Sequence, residues 1–163
     1  MAETVLRAEL AAAGLDGAVV VDSAGTGDWH IGDAMDPGAR KALASRGHDG
    51  SAHRARQFQP SWLAERDLIL AMDARNLANL RRVAAGKDAD RIRLFGEVGG
   101  LIESPGGLGG DAPPGGSRAG GQDIPDPWGG GPDEFGHVLD LLGAAAPVIA
   151  ARLARLLKTV PSE

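Results

Sequence analysis

Residues Val19–Gly32 read V-V-V-D-S-A-G-T-G-D-W-H-I-G, and this stretch decides the fold. Three β-branched residues in a row fit a buried strand. They give way at once to small, polar and glycine residues that end around Trp29. A strand delivering such a loop to a sheet edge is how α/β proteins hold their ligands. A second loop, Asp123–Gly130 (D-I-P-D-P-W-G-G), has the same turn-rich character and is expected to converge on the first.

Working outward, Met1–Gly14 carries Ala2, Leu6, Leu10 and Ala13 on one helical face with Val5 beside them. Glu3 and Arg7 form an i,i+4 pair on the other side, and Gly14 ends the helix. No capping residue precedes it, so the amides of its first turn lack a side-chain partner. A strand is expected over Ala18–Val21. Asp36-Pro37 is a helix start, with Asp as cap and Pro at the first helical position, running to Gly47. His48–Phe58 is polar and irregular, and a short helix is expected near Pro60–Arg66. Asp67–Met72 (D-L-I-L-A-M) reads as a second buried strand, Asp73 caps a helix to Gly86, and Arg91–Phe95 is a third strand.

Gly99–Gln122 concentrates glycine and proline and is expected to be a flexible surface excursion. A final helix holds Phe135, Val138, Leu139, Leu142, Ile149, Leu153 and Leu156, and Pro147 should kink or split it. The order α-β-α-α-β-α-β-α predicts an α/β protein, a three-layer α/β/α domain around an open parallel sheet.

Composition excludes several functions. A chain of 163 residues is one domain with room for a core. Its net charge of −5 and its scattered basic residues, clustered only at His53–Arg56, point to neither a nucleic acid nor a membrane partner. No uninterrupted apolar run reaches about 18 residues, so no membrane span is expected and a cytoplasmic location is. The absence of cysteine excludes a disulfide framework, a thiolate metal site and a cysteine nucleophile within these residues. His30, His48, His53 and His137 show no metal-ligand spacing.

Four blocks in order, D-S-A-G-T-G-D-W-H-I-G, H-R-A-R-Q, D-L-I-L-A-M-D and D-P-W, resemble the low-molecular-weight protein tyrosine phosphatases from Met1 to the final helix. The resemblance implies a four-stranded parallel sheet. It also implies a first strand leading into a C-x5-R phosphate loop and then into a helix that typically opens M-A-E, as this chain does. The first strand, the nucleophilic cysteine and the phosphate-binding arginine are therefore expected to be missing here. The domain is read as N-terminally truncated over 1–163, with Met1 an internal methionine. In the implied mechanism the thiolate attacks phosphorus, the arginine and backbone amides carry the phosphoryl charge, and an acid protonates the departing phenolate. No cofactor or metal is needed.

Carried onto this sequence, the resemblance makes Asp126 the general acid and base, where the residues alone read as turn chemistry. Trp29 and Trp128 become the walls of a substrate's aromatic ring. The family usually has Tyr-Tyr at Trp128-Gly129, so the pocket is expected to be more open. Ser23 and His53 fall on positions that support the phosphate loop. Asp123 reads either as a second acidic helper or as a solvated loop residue, and Arg54 and Arg56 either as groups that attract phosphate or, by preference, as solvated surface.

The reaction implied is dephosphorylation of phosphotyrosine proteins or small aryl phosphates, with this chain inactive as it stands. A protein-arginine phosphatase or arsenate reductase on the same scaffold, and a non-catalytic binding protein, are the alternatives.

Overall fold

Helix α1 spans Ala2–Ala12, and its buried face is Val5, Leu6 and Leu10. That face packs on the last helix, α6 (Pro132–Thr159), which presents Phe135, Val138, Leu139, Leu142, Ala145, Ala146, Ile149 and Ala150. Helix α2 (Pro37–Ser45) closes the same core with Ala39 and Leu43, and its start is as expected: the Asp36 carboxylate accepts from the Ala39 amide at 3.0 Å. Each fully buried leucine or isoleucine here contributes about 1.5–3 kcal/mol. The computed structural model describes residues 1–84, 86, 88–101 and 123–159; most of the expected excursion, 102–122, lies outside the described residues.

The sheet is smaller than the sequence suggests. Among the described residues it has two parallel strands, β1 (Ile69–Ala71) and β2 (Ile92–Leu94), paired Ile69 with Ile92 and Ala71 with Leu94. Between them run α4 (Ala74–Ala84) and a 3-10 turn at Ala89–Arg91. A second, smaller core of Leu63, Ala71, Leu80, Ala84 and Ile92 joins α4 to the sheet and to the short α3 (Trp62–Glu65).

The expected strand at Ala18–Val21 does not form. Val19 and Val21 lean on the main core, but Val20 is 94% exposed and no ladder bond joins the segment to β1. Strand propensity needs a partner to become a strand, and none of the described residues supplies one.

Two further differences concern the C-terminal half. A one-turn helix, α5 (Phe95–Val98), follows β2 directly and buries Phe95. Gly99 then approaches α6 so closely that a Cβ there would lie 2.2 Å from the Ala145 Cβ. Pro147 does not split α6, which continues past it to Thr159. Pro147 and Gly143, whose carbonyl it would otherwise bond, are both on the exposed side, so the buried stripe runs on unbroken. By length and composition Pro132–Lys158 would also suffice to cross a membrane, but its apolar face is the core of this domain.

Candidate active site

The first loop is stitched to the segment after α2. The Gly25 amide donates to the Arg56 carbonyl at 2.8 Å and Phe58 donates back to Gly25 at 2.8 Å. Further along, Gly32 donates to Ala55 and Ala55 to Asp33. Between these ties Trp29 is 76% exposed, its indole folded back on Gly27, where a Cβ would lie 2.3 Å from the ring. Its edge meets His30, which pairs with Asp33 at 3.1 Å.

Ser23 and His53 come together on a residue the sequence reading left at the surface. Glu3, in the first turn of α1, accepts from Ser23 Oγ and faces His53 Nδ1 at 3.7 Å, with its side chain only 16% exposed. The other Glu3 oxygen pairs with Arg7 at 2.9 Å, and Arg7 Nε in turn donates to the Val21 carbonyl at 2.9 Å. Burial lowers the His53 pKa, helped by the positive Met1 amino group, Arg56 and Arg54; the Glu3 carboxylate opposes this but does not prevail. His53 is thus held toward its neutral form.

The second loop docks at the carboxyl end of β1. The Ile124 amide donates to the Met72 carbonyl at 2.7 Å and its side chain is 3% exposed. Asp126 stands out in solvent between Pro125 and Pro127, and its Oδ1 accepts from the Trp128 amide at 3.1 Å. Trp128 is 77% exposed. Asp126 borders an open cleft of about 340 Å³ shared with Pro125, Pro127, Asp133, Glu134, His137 and Val138.

The structure therefore joins Ser23 to His53 and Asp126 to Trp128. Among the described residues Trp29 and Trp128 make no ring contact with each other. No group of histidine, aspartate and glutamate among them could hold a metal ion.

Comparison with known proteins shows the family of the chain. Residues 1–100 match the family described as low molecular weight phosphotyrosine protein phosphatase. The low molecular weight protein-tyrosine-phosphatase of Streptomyces coelicolor is 41% identical over 152 residues, covering 93% of this chain and 83% of that protein.

The chain belongs to the low molecular weight phosphotyrosine protein phosphatase family.

Solved structures agree on the fold. The crystal structure of YfkJ from Bacillus subtilis superposes with a TM-score of 0.76 at 28% identity, covering 95% of this chain and 86% of that one. A protein tyrosine phosphatase from Entamoeba histolytica, with Hepes in its active site, shares the fold at a TM-score of 0.78 and 24% identity, covering 96% and 88%. The α/β architecture expected from the sequence is thus that of the phosphatase family.

Several residues of this phosphatase scaffold were not legible beforehand. Asp22 receives a two-point grip from Arg66, with Nη2 at 2.7 Å, and a further bond from Arg56 at 3.2 Å. The Arg66 hydrogen bond, chiefly, holds the Asp22 carboxyl below the usual carboxylate range. Both guanidinium groups also sit 5.2 Å from the centre of the Trp62 ring, which Phe58 meets edge-on. Arg56 further donates to the Ser23 carbonyl at 3.0 Å, so it is a structural tie rather than solvated surface. Arg54 keeps to carbonyls of its own segment, Ser51 and His53. The D-S and H-R-A-R blocks contain Asp22 and Arg56, but Arg66, Trp62 and Phe58 lie outside them, and only the fold brings the five together.

Proposed function

We propose that residues 1–163 form the acid-bearing and wall-forming part of a protein-tyrosine-phosphatase site, acting on phosphotyrosine proteins or small aryl phosphates. In this reading Asp126 gives its proton to the phenolate as the P–O bond breaks. It then takes a proton from the water that hydrolyses the phosphocysteine. Trp29 and Trp128 flank the substrate ring, and Ser23 and His53, both on Glu3, brace the phosphate loop.

The thiolate that forms the bond to phosphorus has no counterpart here, because the sequence contains no cysteine, and without a C-x5-R loop no arginine holds the phosphoryl-binding place that follows it. The chain on its own is therefore catalytically silent, and a strand ending in a C-x5-R loop must be supplied for turnover. The observation that carries this reading is the docking of the Asp126 loop at the carboxyl end of β1 through Ile124 and Met72, the end at which parallel α/β sheets bind ligands. Val20, 94% exposed and in no strand among the described residues, leaves this segment free to take a strand partner.

The test is to fuse such a strand and loop ahead of residue 1, measure aryl phosphate hydrolysis, and then introduce Asp126→Asn. A general acid contributes about 10²–10⁴-fold, so kcat should fall by about that factor and the alkaline limb of the kcat/KM pH profile, where the donor loses its proton, should change. Unchanged kcat in the fused Asp126→Asn protein would remove Asp126 from the mechanism.

A further inference from the structure

Asp126 is separated by only two residues from the point where its loop is fastened. Ile124 holds that point by its amide on Met72 and its buried side chain. Asp123 adds a second tie: its Oδ1 accepts from the Ala74 amide, the first residue of α4, at 3.1 Å. Beyond Ile124, Pro125 and Pro127 fix φ on either side of Asp126 and leave little slack to absorb a shift upstream. The far end of the loop is closed by the Gly130 amide on Pro127 at 2.9 Å and the Gly131 amide on the Glu134 carboxylate at 2.8 Å.

Helix α4 does not need Asp123 for its own cap. Asp73 already fills that role, with Oδ1 accepting from the Asn76 amide at 2.6 Å and Oδ2 from the Asn76 side-chain amide at 2.7 Å. Both Asp73 oxygens accept from Asn76, and the Ala74 amide goes to Asp123 instead. Keeping a second carboxylate beside the first has a cost, since burial and then the Asp73 charge raise the Asp123 pKa, while the Ala74 bond lowers it. A cap the helix can do without, held against a like charge, has its value in the loop it starts.

We propose that Asp123 is a positioning residue for Asp126: by accepting from the Ala74 amide it fixes the start of the Asp123–Gly130 loop, and with it the place of the Asp126 carboxylate. The proposal rests on the reading of Asp126 as the acid.

Three variants of the 163-residue chain test it by amide hydrogen exchange at Ile124 and by the amide resonance of Trp128, which reports the bond to Asp126 Oδ1. Asp123→Ala should speed exchange at Ile124 about 10-fold, the size of one lost hydrogen bond, and move the Trp128 resonance. Asp123→Asn keeps an accepting oxygen and should restore both toward the parent. Ala74→Pro removes only the donor, at a position where helices accept proline, and should reproduce Asp123→Ala without adding to it in the double variant.

An unmoved Trp128 resonance in Asp123→Ala, failure of Asn to rescue, or additive effects in the double variant would each overturn the proposal. So would a general loss of helical signal in both Asp123→Ala and Ala74→Pro, since the tie is local. None of these readouts depends on proton transfer. The acid assignment is judged separately, by Asp126→Asn in the fused chain, so a failure of the tie and a failure of the acid are told apart.

Discussion

The helical side and the sheet side of this molecule differ sharply in completeness. On the helical side α1, α2 and α6 bury Leu10, Leu43, Leu142 and Ile149 almost entirely. On the sheet side two three-residue strands hold one another, and the strand-prone Val20 stays in solvent, in no strand among the described residues. Packing of helix faces is satisfied by residues near at hand in the fold. Strand pairing is all or nothing, because each backbone edge needs another edge. The catalytic parts divide in the same way. In the function proposed above, walls and acid ride on loops anchored to finished elements, whereas the phosphate cradle would come with an added strand.

That contrast is most exposed to core truncation. Leu43→Ala or Ile149→Ala should cost about 2–5 kcal/mol in urea unfolding, while Val20→Thr should stay within about 0.5 kcal/mol of the parent. A Val20 cost equal to that of Leu43 would mean that the sheet side is as fully packed as the helical side. A smaller effect is expected where α5 meets α6: Gly99→Ala forces a methyl against Ala145 and should cost about 1–3 kcal/mol by the same measurement. No loss there would place the two segments further apart than the structure has them.

The smallest effect concerns the tie between the first loop and the sheet side. Asp22→Asn should lose about 1 kcal/mol at pH 7, the scale of a partly exposed ion pair. The Asp22 pKa is lowered in the folded chain, so the unfolded chain takes up its proton first as pH falls. The stabilisation is therefore complete above about pH 4, the ordinary aspartate value, and fades as pH falls through the lower, folded one. The gap between parent and variant should narrow as pH falls below about 4. A gap that persists at the acid end would assign the effect to packing around Trp62 instead of charge.

What could be read from the chain beforehand follows the same division. The Asp36-Pro37 helix start was legible because a cap is a local device, three residues from its donor. The two strands that form were legible as apolar runs, and so was the core stripe of α6. Val19–Val21 misled because propensity records what a segment could do with a neighbour, not whether the neighbour exists. Of the kink or split expected at Pro147 the split does not occur, because the Gly143 carbonyl it frees falls on the exposed side of α6, where a helix tolerates it. At the site, the family resemblance named Asp126, Ser23 and His53, but Glu3 was read as half of a surface pair with Arg7. Its meeting with Ser23, 20 residues away, depends on how α1 packs. Asp123, too, looked like a catalytic or solvated acid because its donor, Ala74, is 49 residues off.

The most direct test of the account is hydrolysis of p-nitrophenyl phosphate by the 163-residue chain, side by side with the same chain carrying an added strand and C-x5-R loop. The account predicts no release of p-nitrophenol from the first and steady turnover from the second. Turnover by the unextended chain, with no cysteine to form the phosphoenzyme, would contradict it.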